Sequence, residues 1–149
     1  MIIVTGGSGK VGRAAVKDLM EKGYTIASVD MVRPAGLSNP PKPTDVNFTR
    51  ADITDFGQVM AAFSGINARV ESPVTGIVHL GAIASPGEAP DHEIFAVNTV
   101  STYNVFEAAR RLGRPVVPCA AGALRAVEAA VLTRSARARA AVGLASVAE

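Results

Sequence analysis

The chain of 149 residues lacks several features that would assign it to particular protein classes. It has a single cysteine, Cys119, which excludes an internal disulfide. No apolar run approaches the roughly 18 residues needed to span a bilayer. Met1 leads directly into strand-like residues instead of a signal peptide. These absences predict a cytoplasmic protein without a membrane partner.

The chain also lacks a large excess of charge of either sign. The formal net charge is only +2, which gives no reason to expect a nucleic-acid partner. We assign no metal-binding residue. Apolar residues make up 48% of the chain and charged residues 19%, a balance that allows a packed core within one domain.

Strand-like and helix-like segments alternate along the first 118 residues. The predicted strands are Ile2–Thr5, Thr25–Val29, Val46–Arg50, Thr75–Leu80 and Pro115–Val117. The predicted helices are Lys10–Lys22, closed by Gly23, a second one capped by Thr54 and running to about Phe63, and Asp91–Leu112. The alternation predicts an α/β fold with a doubly wound, Rossmann-like parallel sheet, and right-handed crossovers favour the strand order 3-2-1-4-5.

A glycine-rich loop joins the first strand to the first helix. Gly6, Gly9 and Gly12 lie three residues apart, a spacing typical of a dinucleotide-binding turn in this context. Gly6 allows the tight turn, Gly9 lets a pyrophosphate approach the backbone, and Gly12 lets the helix pack against the sheet. The candidate phosphate-binding residues are Gly6, Ser8, Gly9, Lys10, Val11 and Gly12.

A Walker A loop is the competing interpretation of the same segment. That motif needs a glycine five positions before its Gly-Lys pair and a hydroxyl residue after the lysine, but Val4 and Val11 stand at those positions. Hydrolysis of a nucleoside triphosphate is therefore not expected.

Asp30 ends the second predicted strand, about 18 residues after Gly12. In this fold a carboxylate at that position accepts hydrogen bonds from the adenosine ribose and repels a 2′-phosphate, which predicts NAD over NADP. Arg33 lies nearby and would partly offset that repulsion. The alternative is that Asp30 is a solvent-facing residue at the end of a strand.

From Met1 to Val117 the chain resembles the extended short-chain dehydrogenase/reductase family of NAD-dependent epimerases, dehydratases and reductases. The resemblance rests on the glycine loop, Asp30, and the segments 51–55, 79–82 and 98–109. It implies that Asp52 and Ile53 flank the adenine. It also implies that Leu80, Gly81, Ala82 and Asn98 lie at the cofactor site, although Asn98 alternatively satisfies loop backbone groups. His79, on a buried strand, is predicted to be packed and hydrogen-bonded.

The catalytic pair of that family, a tyrosine with a lysine four residues later, is missing. Ser28 and Glu107 stand four residues after the only tyrosines, Tyr24 and Tyr103, and no lysine follows Lys42. We therefore assign no catalytic residue, and we expect the chain to be truncated before the pair and inactive alone.

These observations predict an NAD-binding Rossmann unit over residues 1–118 and an Ala/Arg-rich segment over 119–149, helical from about Ala123 to Val142. That last segment is either a native fold or an out-of-frame tail. The resemblance implies a small-molecule substrate, such as a nucleotide-sugar or another hydroxyl or carbonyl compound, and a homodimer or oligomer paired through the long helix. The competing functions are a non-catalytic NAD-binding or redox-sensing module and a damaged fragment.

Overall fold

The computed structural model describes residues 1–37, 46–65, 74–85, 87–114 and the backbone of 116–118. Five parallel strands form one sheet in the order β3-β2-β1-β4-β5, as predicted. The strands are β1 (Ile2–Thr5), β2 (Ile26–Asp30), β3 (Asn47–Arg50), β4 (Gly76–His79) and β5 (Val116–Pro118). The helices are α1 (Lys10–Glu21), α2 (Phe56–Phe63) and α3 (Asp91–Arg111).

The central strand β1 is buried along its whole length and divides the core between the two faces of the sheet. Successive side chains of a strand point to opposite faces. Ile2 and Val4 accordingly pack with Leu19 of α1, whereas Ile3 packs with Phe63 of α2. Burial on both faces is what the nearly continuous apolar strands predict.

Most predicted element bounds are within one residue of the observed ones. Gly23 follows α1 with φ of +83°, in the left-handed region that favours glycine, so the predicted stop is confirmed. The predicted cap of α2 was wrong. Asp55, not Thr54, is the N-cap, and its carboxylate accepts the Gln58 N–H at 3.1 Å.

The correction has a local cause. Thr54 donates both its N–H (2.9 Å) and its hydroxyl (2.7 Å) to Oδ1 of Asp52, in a turn that precedes the helix. Because the Thr54 hydroxyl is already bonded to Asp52, the side chain of the next residue, Asp55, caps the helix.

Within the residues described, no helix is both long and apolar enough to cross a membrane. The predicted tail helix from about Ala123 to Val142 and the single cysteine, Cys119, lie outside the described residues.

Candidate functional site

The loops that follow β1, β2, β3 and β4 meet at the carboxyl edge of the sheet around a cavity of about 630 Å³. This is where open parallel sheets bind ligands, and the volume lies in the usual range for a small-molecule site, about 300–1,000 Å³.

The loop after β1 is held by contacts between backbone atoms. Gly6 has φ of +69° and donates its N–H to the Val29 carbonyl at 2.9 Å. A Cβ on Gly6 would lie 2.6 Å from the Gly81 nitrogen, and a Cβ on Gly12 would lie 2.0 Å from the Gly6 carbonyl oxygen. Both positions therefore require glycine because backbone stands where a side chain would be.

Gly9 differs from these two glycines. It lines the cavity, and the nearest atom to a Cβ built there is the Gly6 carbonyl oxygen at 3.3 Å. Gly9 is also the N-cap of α1 and provides no side chain to cap the helix. The N–H groups of the first helical turn thus lack a side-chain partner and can serve an anion.

Asp30 lies at the end of β2 and is held firmly against the glycine loop. Its Oδ2 accepts the Ser8 N–H at 3.0 Å and its Oδ1 accepts the Val32 N–H at 3.1 Å. The Ser8 hydroxyl donates to the Val32 carbonyl, which ties the two loops together again. Each carboxylate oxygen can accept a further hydrogen bond from a ligand.

The loop after β3 is fixed from the far side by α3. The Asn104 side-chain N–H group donates to the carbonyls of Ile53 (3.1 Å) and Thr54 (2.8 Å). Asn104 is only 5% exposed. The sequence analysis missed this residue, and the available signal was an amide among the apolar positions of the helix.

The loop after β4 forms another wall of the cavity. The N–H groups of Leu80 and Gly81 lie 3.2 and 3.3 Å from the Thr5 hydroxyl oxygen. The Asn98 amide accepts the Ile83 N–H at 2.9 Å and donates to the Ile83 carbonyl at 3.0 Å. Asn98 therefore satisfies loop backbone groups, which was the alternative interpretation of that residue.

His79 is buried and hydrogen-bonded, as predicted. Its Nδ1 lies 2.7 Å from the Thr5 hydroxyl and its Nε2 lies 3.2 Å from the Thr102 hydroxyl. Burial lowers the pKa of His79 below its usual value of 6.5, which favours the neutral ring.

Most of the candidate residues are brought together around the cavity. Those that line it are Gly6, Ser8, Gly9, Asp30, Asp52, Ile53, Leu80, Gly81 and Ala82. Those that do not are Lys10, Val11, Gly12 and Asn98. The sequence analysis missed seven lining residues, Val29, Met31, Val32, Ala51, Thr54, Ile83 and Val97. Most of them adjoin predicted residues in the same loops, so the convergence of strand ends was the available signal.

A family model described as the NAD dependent epimerase/dehydratase family matches residues 2–128. The chain belongs to this family. A 3-beta-hydroxysteroid dehydrogenase from Mycolicibacterium neoaurum is 35% identical over 112 residues, which cover 75% of this chain and 29% of that relative. A UDP-glucose 4-epimerase from Drosophila melanogaster is 31% identical over 99 residues, which cover 59% of this chain and 27% of that protein.

The chain is also similar in fold to solved structures. The UDP-glucose 4-epimerase of Thermus thermophilus in complex with NAD is 32% identical, with a TM-score of 0.59 over 75% of this chain and 34% of that one. A short-chain dehydrogenase/reductase superfamily protein from Agrobacterium tumefaciens with bound NAD is also 32% identical, with a TM-score of 0.63 over 82% and 33%. The chain thus spans about a third or less of the length of these relatives.

The two tyrosines of the sequence lie away from the cavity. Tyr24 (36% exposed) follows α1, and Tyr103 (66% exposed) lies on the outer side of α3. Neither lines the cavity. Among the described residues there is no group of His, Cys, Asp or Glu that could hold a metal ion.

Proposed function

We propose that this chain binds NAD in the cavity at the carboxyl edge of the sheet. The observation that carries the proposal is the Asp30 carboxylate, held by two backbone N–H groups beside a glycine loop whose tight packing leaves Gly9 open to the cavity. A carboxylate at this place accepts the ribose hydroxyls and disfavours a 2′-phosphate, so NAD is preferred over NADP.

The start of α1 is the proposed pyrophosphate site. The N–H groups of Lys10, Val11 and Gly12 belong to the first turn of a helix without a side-chain cap, and the helix dipole adds attraction of about 0.3–1 kcal/mol. These three residues do not line the cavity themselves, and the role proposed for them is confined to their backbone N–H groups at the start of α1, next to the cavity-lining Gly9.

The remaining walls suit the two ends of a dinucleotide. Asp52 and Ile53 on the β3 side would flank the adenine, and Leu80, Gly81 and Ala82 on the β4 side would lie beneath the rest of the cofactor. When bound, the nicotinamide ring would accept or donate a hydride. The chain's own residues bind and orient it.

We further propose that the chain supplies cofactor binding without turnover. The family description and the dehydrogenase and epimerase relatives support an origin among enzymes that act on hydroxyl or carbonyl compounds. Neither tyrosine of this sequence has a lysine four residues later. We also propose a cytoplasmic location and pairing of two copies through α3.

Calorimetric titration with NAD tests the binding proposal. We expect saturable binding to the full chain, weaker binding of NADP, and a raised melting temperature, since a ligand at about 100 times its Kd stabilises by roughly 2.7 kcal/mol. Asp30→Ala is expected to weaken NAD binding at least about tenfold, which is about 1.4 kcal/mol.

Asp18→Ala is the matched control, because Asp18 is an exposed carboxylate of α1 that pairs only with Lys22 among the described contacts. NAD that leaves the melting temperature unchanged would contradict the proposal. Formation of NADH absorbance with hydroxyl compounds would contradict the absence of turnover.

A further inference from the structure

A continuous chain of hydrogen bonds brackets the loop after β4, which forms one wall of the proposed NAD site. It begins at the N–H groups of Leu80 and Gly81, passes through the Thr5 hydroxyl to the His79 ring, and continues to the Thr102 hydroxyl. This hydrogen-bond network connects the ends of β1 and β4 with α3.

Beyond Thr102 the connection returns to the same loop. The Thr102 hydroxyl lies 2.6 Å from the Asn98 backbone carbonyl, and the Asn98 side chain is paired with the backbone of Ile83. Both ends of the segment from Leu80 to Ile83 are therefore held.

The positions of the protons in this hydrogen-bond network can be assigned by starting from Thr102. A carbonyl oxygen only accepts, so the single Thr102 hydroxyl proton is donated to Asn98. The Thr102 oxygen must then accept from the His79 ring, which places a proton on Nε2.

The Thr5 end leads independently to the same assignment. The Gly81 N–H donates to the Thr5 hydroxyl oxygen, and the Leu80 N–H is shared between that oxygen (3.2 Å) and the Thr5 carbonyl (3.1 Å). With its two acceptor sites in use, the hydroxyl donates its proton to Nδ1 of His79 at 2.7 Å. Nδ1 therefore carries no proton.

We propose that His79 is a positioning residue of the cofactor site, fixed as the neutral Nε2–H tautomer between the hydroxyls of Thr5 and Thr102. It acts through Thr5, which orients the Leu80 and Gly81 backbone, and through Thr102, which braces the helix that holds Ile83. The role in cofactor binding rests on the proposed NAD site, whereas the tautomer does not.

Nitrogen NMR of the ¹⁵N-histidine-labelled full chain reads the tautomer directly. The sequence has only two histidines, and the exposed His92 signals are assigned by their loss in His92→Gln. At pH 7.5 we expect His79 to show one protonated nitrogen, Nε2, and one acceptor nitrogen, Nδ1. A proton on Nδ1, on both nitrogens, or an averaged mixture of tautomers would overturn the assignment.

NAD titration of Thr102 variants tests whether His79 positions the cofactor site. Thr102→Val, which removes the hydroxyl and keeps the shape, is expected to lower NAD affinity about three- to tenfold and to move the His79 nitrogen signals. Thr102→Ser is expected to restore both. Thr99→Val removes an exposed hydroxyl from the same helix and should change neither. Unchanged NAD affinity in Thr102→Val would overturn the positioning role.

The two proposals fail in different ways. If the wild-type chain shows the expected tautomer but binds no NAD, the proposed function is wrong and the hydrogen-bond assignment stands. If it binds NAD but His79 shows another tautomer, the inference is wrong and the proposed function stands.

Discussion

Single residues of the glycine loop differ in what surrounds them, as the separate roles predicted from the sequence require. Gly6 and Gly12 are required by neighbouring backbone, whereas Gly9 meets only one backbone atom at 3.3 Å and opens into the cavity. The first two are thus fold requirements, whereas the third is required only by the proposed binding of NAD.

Gly12→Ala is expected to destabilise the protein. Its Cβ would stand 2.0 Å from the Gly6 carbonyl oxygen and 2.7 Å from Gly7 Cα, so the helix must move away from the loop. Overpacking of this kind costs at least about 1–3 kcal/mol of unfolding free energy, measurable by urea denaturation. Gly76→Ala is the control, because no atom lies within 4 Å of a Cβ built there. Equal stability of the two variants would contradict the packing argument.

Gly9→Ala is expected to separate binding from folding. The added methyl needs an adjustment of a few tenths of an ångström in the apoprotein, so the melting temperature should stay close to that of the wild type. In the cavity the methyl would occupy space that the pyrophosphate needs, and NAD affinity should fall about tenfold or more, which is about 1.4 kcal/mol. Calorimetry that finds unchanged affinity would place the diphosphate elsewhere.

The buried His79 makes stability depend on pH in a definite direction. Because burial lowers its pKa below 6.5, the unfolded chain binds the proton more readily than the folded one. The contribution of neutral His79 to the free energy of unfolding is therefore fully present above pH 6.5. It is lost as the pH falls from 6.5 through the lowered pKa of His79. Melting curves between about pH 7.5 and 5 should show this loss, and His79→Asn should show less of it than His92→Asn. Identical pH profiles for the two variants would contradict the prediction.

At the scale of elements, α3 acts as a support for two loops of the site. Asn98 holds the loop after β4, and Asn104 holds the loop after β3. The two residues lie six positions apart on one helix, so a shift of α3 would move both walls of the cavity together.

Asn104→Ala tests this support. It leaves the Ile53 and Thr54 carbonyls without their amide donor in a partly buried setting, which is expected to cost about 1–3 kcal/mol of unfolding free energy. NAD affinity should fall as well, because the adenine side of the proposed site loses its brace. Urea denaturation and NAD titration measure the two effects, with the exposed Thr99→Ala as the control on the same helix. A free energy of unfolding and an NAD affinity equal to those of the wild type would contradict the role assigned to Asn104.

Element positions were largely predictable because they follow from local chemistry. Apolar periodicity and the glycines at positions 23 and 113, both with positive φ, placed the strands and helix ends to within about a residue. The cap of α2 was not predictable in the same way. Thr54 and Asp55 are both good capping residues, and the turn at Asp52 decides between them.

For the whole molecule, the outer side of α3 carries large exposed apolar side chains. Phe95 is 71% exposed, Tyr103 66% and Phe106 41%. We expect this surface to pair two copies of the chain, since large exposed apolar patches often mark protein–protein contacts. Sedimentation of the full chain at tens of micromolar should show a dimer or larger species, and Tyr103→Glu with Phe106→Glu should shift it to monomer. A wild-type monomer would contradict the prediction.

The sequence by itself determined the sheet order, the glycine loop and the strand-end carboxylate, because these depend on residue spacing and on rules that hold for any parallel α/β sheet. Only the tertiary structure decided that Asn98 pairs with Ile83, that Asn104 holds Ile53 and Thr54, and that Thr5 and Thr102 fix His79. Most of these contacts join residues far apart in sequence. Periodicity reports which side of an element is buried, but the partner of a buried polar group is set by which elements the packed sheet brings beside it.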